Sequence, residues 1–395
     1  TGVKARIIGL AGKYFPTGTH KVGAAYACLV SRLVSGTFDP EIHKAVWPST
    51  GSYCRGGAFD CALLACTAVA ILPEEMSKER FDWLREIGAE IYVTPGCESN
   101  VKEIYDKCAE LRKDPTFVIL NHFDEFGNPL WHYHITGNAI SEVFEAIKKP
   151  GDRLSGYVSA TGSAGTIAAG DFLKKQYPSC KINATEALEC PTLLMNGFGK
   201  HRIEGIGDKH IPWIHNVRNT DLVTAIRDED CMRLLRLFNE PIGIKYLKQN
   251  GINPNLADKL DLLGISSICN LLSAIKMAKY YEFNEQDIIF TSFTDSSLMY
   301  HSRLQEQTAA KGEYSELQAA LDREGVLNAQ SYDNLLELSY KEKKRIHNLK
   351  HYTWVEQQGK SEAELIQQWE PEYWIETFEN NLSELDNATE EFNNS

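Results

Sequence analysis

Short runs of apolar and β-branched residues alternate with helical patterns over the first three quarters of the chain. Residues 89–94, 116–120, 156–159, 181–187 and 288–291 are predicted strands, and residues 6–12 predict another that enters a turn. Stretches of 3.6-residue period lie between them, among them residues 24–34 and 168–176. Strands joined through helices run parallel, because a parallel pair needs a crossover connection. The pattern therefore predicts an α/β chain with doubly wound sheets. The apolar run at residues 58–73 contains Asp60 and is too short to span a bilayer comfortably, so it predicts a buried helix feeding a strand. From about residue 304 the character changes. Residues 305–321 and 333–349 are charged and helix-forming, aromatic residues follow at Trp354, Trp369, Tyr373 and Trp374, and an acidic tail starts at Glu384. This region predicts a helical extension packed on the body of the protein, with a frayed tail. A regulatory or partner-binding role is the alternative.

Composition narrows the function class. A length of 395 residues predicts two or three domains. The net charge of −13 argues against nucleic acid and against an anionic membrane surface as partners. Ten cysteines without paired spacing read as reduced, buried small hydrophobes of a cytoplasmic protein. No Cys-x-x-Cys pair occurs, and His132-Tyr133-His134 lacks further ligand-spaced partners, so no metal site is expected. The first residues carry no signal-peptide pattern.

Two segments carry the chemistry. In Tyr14-Phe15-Pro16-Thr17-Gly18-Thr19-His20-Lys21, a turn built on Pro and Gly delivers a lysine to the start of a helix. Partial burial lowers a lysine's pKa and makes its amine a nucleophile toward aldehydes. Far downstream, Gly162-Ser163-Ala164-Gly165-Thr166 lies between a strand and a helix. Small residues there let an anion approach the main chain, and backbone N–H groups at a helix start favour phosphate. The spacing matches neither the nucleotide P-loop nor the dinucleotide fingerprint. A lysine for an aldehyde and a cup for a phosphate together point to pyridoxal 5'-phosphate (PLP), an electron sink for carbanions formed on amino acids.

With both pieces placed, the chain resembles the cysteine synthase branch of the PLP-dependent β-family (fold type II, with tryptophan synthase β and threonine dehydratase) from about residue 10 to 303. Thr17-Gly18-Thr19-His20-Lys21 resembles the Schiff-base lysine loop. Ser49-Thr50-Gly51-Ser52-Tyr53 stands where the family has Thr-Ser-Gly-Asn-Thr, the substrate-carboxylate loop. Residues 76–85 with Gly88-Ala89-Glu90 resemble the helix and turn of the mobile small domain, and Asn128-Pro129 with Thr136-Gly137 matches a family pair. Gly162 to Thr166 resembles the phosphate cup. His201-Arg202-Ile203-Glu204-Gly205-Ile206-Gly207, ending at Ile211-Pro212, is similar to His-Lys-Ile-Gln-Gly-Ile-Gly. Leu263-Gly264-Ile265-Ser266-Ser267 is a further near match, and Ser296 of Thr294-Asp295-Ser296-Ser297 falls where the family faces the pyridine nitrogen with a hydroxyl. A rival lysine exists, since Gly2-Val3-Lys4-Ala5-Arg6 imitates Ser-Val-Lys-Asp-Arg, but the spacing to the Ser49 loop favours Lys21.

The resemblance implies a small mobile domain at residues 41–146 and a large PLP-binding domain at residues 1–40 and 147–303, with the cofactor between them. Residues 304–395 are then an addition, and a homodimer is implied. Lys21 would bind PLP and remove the substrate's α-proton. Gly162, Ser163, Ala164, Gly165 and Thr166 would bind its phosphate. Gly264 and Ser267 would line its wall, and Ser296 would leave its ring nitrogen unprotonated, favouring loss of a β-leaving group. Ser49, Thr50, Gly51, Ser52 and Tyr53 would hold the carboxylate of a small amino-acid substrate while the small domain closes over it. The departures from the family lie at the substrate. Ser52 replaces the asparagine at the cofactor's 3'-oxygen, and His122 replaces a glutamine that binds the α-carboxylate. His122 could donate a hydrogen bond or carry a proton near neutral pH. Asp208 is an extra carboxylate that could activate water or a second nucleophile, and Arg55 could bind a second anionic group on the substrate. The implied activity is β-elimination or β-replacement on a sulfur amino acid or a related substrate. A serine/threonine-type dehydratase and a catalytically idle subunit are the alternatives.

Overall fold

The computed structural model describes residues 2–394, which include one mixed and one parallel sheet. The strands are β1 (Arg6–Ala11), β2 (Lys44–Pro48), β3 (Thr67–Pro73), β4 (Glu90–Thr94), β5 (Phe117–Ile119), β6 (Arg153–Ala160), β7 (Lys181–Ala187), β8 (Leu222–Ile226), β9 (Asp287–Phe293) and β10 (Leu335–Glu337). One sheet has six strands in the order β1-β9-β6-β7-β8-β10, and the other has four in the order β4-β3-β2-β5. Every pairing is parallel except β10 against β8. The central strands read as near-continuous apolar runs, such as Ala68 to Leu72 in β3, because helices cover both faces. The helix Ile265–Tyr280 shows the same logic: Ile268, Leu272 and Ile275 have no exposed surface.

Two helices frame the junction of the sheets. Helix α1 (Lys21–Val34) follows β1, and helix α2 (Ser52–Leu63) follows β2. Gly51 immediately precedes α2 at φ +124°, a conformation closed to residues with a β-carbon, and a Cβ there would lie 2.6 Å from Arg80 Cδ.

The α/β prediction holds, and the long apolar run resolves into α2 and β3. Three local expectations need correction. Residues 305–321 are two helices, His301–Lys311 and Glu316–Asp322, because Gly312 (φ +79°) ends the first and a capping box of Ser315 and Gln318 starts the second. Residues 333–349 are not all helix: Leu335–Glu337 pairs with β8 before the helix Tyr340–Asn348 begins. The acidic tail is not frayed but helical, over Asn381–Asn394.

The region beyond residue 304 is fastened to both sheet units. Lys350 is fully buried, and its three N–H groups donate to Trp213 O (2.8 Å), His215 O (2.8 Å) and Gln368 Oε1 (2.7 Å). Trp354, also without exposed surface, donates from Nε1 to Ile211 O at 2.8 Å. Its ring meets His210 at 5.6 Å and Tyr105 at 6.0 Å, and Tyr105 belongs to the helix Val101–Leu111 of the four-stranded unit. Lys360 pairs with Asp124 at 2.8 Å. Trp354→Ala is expected to cost about 3–5 kcal/mol of stability, as a fully buried aromatic does when truncated. Urea unfolding checks this, and a loss below ~1 kcal/mol would contradict the packing role.

Candidate active site

Each candidate segment leaves the carboxyl end of a strand, where open α/β sheets bind ligands. β1 runs into the lysine loop, β2 into Ser49–Gly51, β5 into Asn121 and His122, β6 into Gly162–Thr166, and β9 into Thr294–Ser297. The two sheets face their carboxyl ends toward one crevice, and Lys21 opens α1 inside it.

Lys21 is 9% exposed, whereas the Lys4 side chain is 72% exposed and pairs with Glu285 on the surface, an environment that does not lower an amine's pKa as burial does. Lys21 Nζ donates to Ser163 Oγ at 3.3 Å, and Ser163 Oγ also accepts from Asn128 Nδ2 at 3.0 Å. This bond joins the lysine loop to the glycine-rich loop. Burial pushes the Lys21 amine down to about 8, against a partial restoring pull from Asp208. Three backbone contacts hold the loop. His20 N donates to Thr294 O (3.1 Å), Thr19 bridges Asp295, and Arg55 Nη2 donates to Thr17 O (2.8 Å). Arg55 therefore does not stand free for a substrate anion. It lies over the Trp83 ring at 4.5 Å and braces the lysine loop.

Among the described residues, no backbone carbonyl or side chain accepts from the amides of Gly162, Ser163, Ala164, Gly165 or Thr166. Ala164 sits at φ +63°, which curls the loop ahead of the helix Ile167–Gln176. A Cβ on Gly165 would lie 2.0 Å from Asn128 Oδ1, so glycine is required there by close approach. Gly264 packs closely against the segment after β9: a Cβ there would meet Asp295 Oδ1 at 2.0 Å. Ser267 Oγ donates to Asp295 O at 3.1 Å, and Ser296 follows, buried.

In the loop after β2, Thr50 is gripped by a residue that the sequence did not single out. Arg80 has no exposed surface and donates from Nη1 to Thr50 O (2.6 Å) and from Nη2 to Tyr300 OH (3.0 Å). Its Nε lies 3.0 Å from Glu204 Oε2, and Tyr300 OH donates to Asp295 Oδ2 at 2.9 Å. Glu98 adds a second buried carboxyl, accepting from Gly205 N at 2.6 Å, and burial pushes it well above the usual carboxyl range. Arginine and glutamate inside helical or turn patterns read as solvated, so no local signal marks them.

Tyr53 and His122 stack at 4.3 Å with ring planes 15° apart. Both His122 nitrogens are buried without a partner, and burial, with Lys21 and His210 nearby, holds the ring well below its ordinary pKa. This runs against the expectation that His122 could carry a proton near pH 7, because burial disfavours the charged ring. Burial pushes Asp208 up to about 7, with Lys21 opposing, and its Oδ2 has no partner. Next to it, His210 Nε2 meets Tyr105 OH at 3.0 Å.

The comparisons decide the family. Residues 13–244 match the family model described as pyridoxal-phosphate dependent enzyme. The chain belongs to the pyridoxal-phosphate dependent enzymes. Cysteine synthase of Staphylococcus aureus is 30% identical over 265 residues, covering 67% of this chain and 78% of the relative. A probable cysteine synthase of Bacillus subtilis is 31% identical over 231 residues, 58% of this chain and 73% of the relative. The solved cysteine synthase of Entamoeba histolytica superposes with a TM-score of 0.66 at 22% identity, covering 82% of this chain and 88% of that one. This pyridoxal-phosphate dependent enzyme stands on the cysteine synthase branch. Its cofactor is PLP. The crevice suits that group: five uncommitted amides for a phosphate, a buried amine for an aldehyde, and buried unpartnered atoms at Ser52 Oγ, His122 and Asp208 Oδ2 for polar substituents.

In the cofactor-free protein, the rate of PLP capture is expected to rise with pH through an apparent pKa of about 8. The protonated amine below that value is unreactive, and the neutral amine above it attacks. Stopped-flow absorbance measures this, and a midpoint near lysine's ordinary value would contradict the dry environment described for Lys21.

Proposed function

We propose that this enzyme catalyses β-elimination or β-replacement on a small L-amino acid bearing a β-leaving group, within sulfur amino-acid chemistry. The observation that carries this reading is the Lys21–Ser163 bond, which sets a buried amine beside a phosphate-type loop in one crevice. Bound PLP supplies the electron sink for negative charge developing at the substrate Cα. The chain's own groups do the rest. The amides of Gly162, Ser163, Ala164, Gly165 and Thr166 would hold the phosphate, and the buried Ser296 hydroxyl would face the ring nitrogen as a neutral group. Lys21 Nζ, whose pKa burial lowers to about 8 so that its neutral form is within reach near neutral pH, takes the α-proton. Ser49, Thr50, Gly51, Ser52 and Tyr53 orient the α-carboxylate, with Arg80 fixing the Thr50 carbonyl from behind. Neutral His122 donates one hydrogen bond to the same carboxylate or to the leaving group. Asp208, poised near neutrality, moves a proton at the incoming nucleophile or leaving group.

In the same reading, residues 41–146 close as the small domain over residues 1–40 and 147–303, excluding water. The enzyme works as a cytoplasmic homodimer. Ten free cysteines, nine of them buried, support a reducing compartment. Among the described residues no helix is long and apolar enough to cross a membrane.

Borohydride reduction followed by peptide mapping is expected to place phosphopyridoxyl on Lys21, and Lys21→Ala is expected to abolish turnover with the fold retained. Label on any other lysine would remove the reading. A panel of cysteine, O-acetylserine, serine and threonine, scored for sulfide, cysteine, ammonia and 2-oxo acids, separates the reaction classes. Ammonia release from serine or threonine alone would favour the dehydratase.

His122→Gln and Asp208→Ala are expected to change product partition or β-substituent preference, by ~10²–10⁴-fold for a lost proton-transfer role. Exchange of the α-proton with solvent is expected to persist in both, followed by NMR in deuterium oxide. Its disappearance with PLP still bound would assign the α-proton step to that residue instead of Lys21.

A further inference from the structure

A cavity of about 450 Å³ lies away from the crevice, between the helix Ile167–Gln176, the turn Val217–Asn219 and residues 371–379 of the C-terminal region. One wall is Asp171, only 7% exposed. Its Oδ1 accepts from the side-chain amides of Asn216 and Asn219, while its Oδ2 is buried without a partner. A buried carboxylate oxygen with no donor costs free energy that an incoming N–H would recover. Burial pushes this carboxyl up to about 7, so an arriving cation would draw it into its ionised form.

The other walls differ in kind. Tyr133 and Phe378 stack at 4.8 Å, and Trp374 meets Phe378 at 5.6 Å, so this wall is a packed aromatic cluster. At the mouth, Arg218 spends Nη1 on Trp369 O (2.6 Å) and Glu370, yet its side chain stays 41% exposed. Lys175, also at the mouth, is neutralised by Glu379 at 2.6 Å. The lining thus brings together the Asp171 carboxyl, the partly exposed Arg218 guanidinium and aromatic side chains. An ammonium, a carboxylate and an apolar side chain on one small molecule complement all three.

We propose that this cavity binds a free α-amino acid with an apolar side chain, its ammonium on Asp171, its carboxylate at Arg218 and its side chain against Trp374 and Phe378. The volume admits any such amino acid. The site is independent of the crevice, although Asp171 lies on the helix that follows the Gly162–Thr166 loop.

The test is calorimetric titration of borohydride-reduced holoenzyme, whose Lys21 amine is blocked, with L-leucine, L-methionine and L-phenylalanine. At least one is expected to bind saturably at millimolar concentration or below with one site per chain. N-acetyl-L-leucine and L-leucine methyl ester, which each lack one charge, are expected to bind at least tenfold more weakly than the free amino acid. Asp171→Asn, nearly isosteric, is expected to weaken binding at least tenfold. The same titration on unreduced Lys21→Ala is expected to give the wild-type affinity, so a failed borohydride label would count against the active-site reading and not against this cavity. Absence of saturable binding by all three amino acids overturns the proposal. Binding that survives both N-acetylation and esterification does so as well, whether or not the Asp171 variant folds.

Discussion

A guanidinium with no exposed surface keeps its charge only where the protein supplies acceptors, and Arg80 draws its own from separate stretches of chain. Thr50 O comes from the loop after β2, Glu204 from the segment ahead of Asp208, and Tyr300 with Asp295 from the segment after β9. Each stretch borders the crevice. Removing one acceptor would leave a buried charge short of partners, so any closure of the loop after β2 toward the segment after β9 has to keep or remake these contacts. Glu204 extends the linkage by accepting from Arg303 Nε (2.7 Å) and Ser77 N (3.2 Å). The crevice is in this sense a by-product of solvating one side chain.

The other controlling condition is dryness. Lys21, His20, His122 and Asp208 lie within one buried volume, and burial moves each toward its neutral form. His20 is pushed down to about 3 by burial and the neighbouring lysine. A neutral amine is a base and a nucleophile, whereas neutral imidazoles offer hydrogen bonds without competing for the proton. One cause, exclusion of water, therefore sorts the roles.

What the sequence made legible follows from how local each signal is. Strands such as Lys181–Ala187 and loops such as Gly162–Thr166 declare themselves in a few residues, through β-branching or small side chains. Order along the chain then placed Lys21, Ser52, His122, Asp208 and Ser296 on loops and helix starts that the fold carries to one crevice. Arg80, Glu98 and Glu204 escaped because a charged residue's burial depends on partners more than a hundred positions away for Glu98 and Arg80. The short strands Lys44–Pro48 and Leu222–Ile226 escaped for a similar reason. Five residues carry too little periodicity, and neighbouring strands decide the matter. Asp208 and His122 were visible as oddities, but only burial revealed their charge states.

The antiparallel strand Leu335–Glu337 is three residues long, yet it lies beside a strand that is buried throughout, Leu-Val-Thr-Ala-Ile. Without it, the edge at Leu222–Ile226 would offer unpaired N–H and C=O groups flanked by apolar side chains, a template for another chain to join. The opposite edge, β1, carries Arg6 at its start and needs less cover. The C-terminal region therefore does more than add helices: it pairs and covers one edge of the larger sheet.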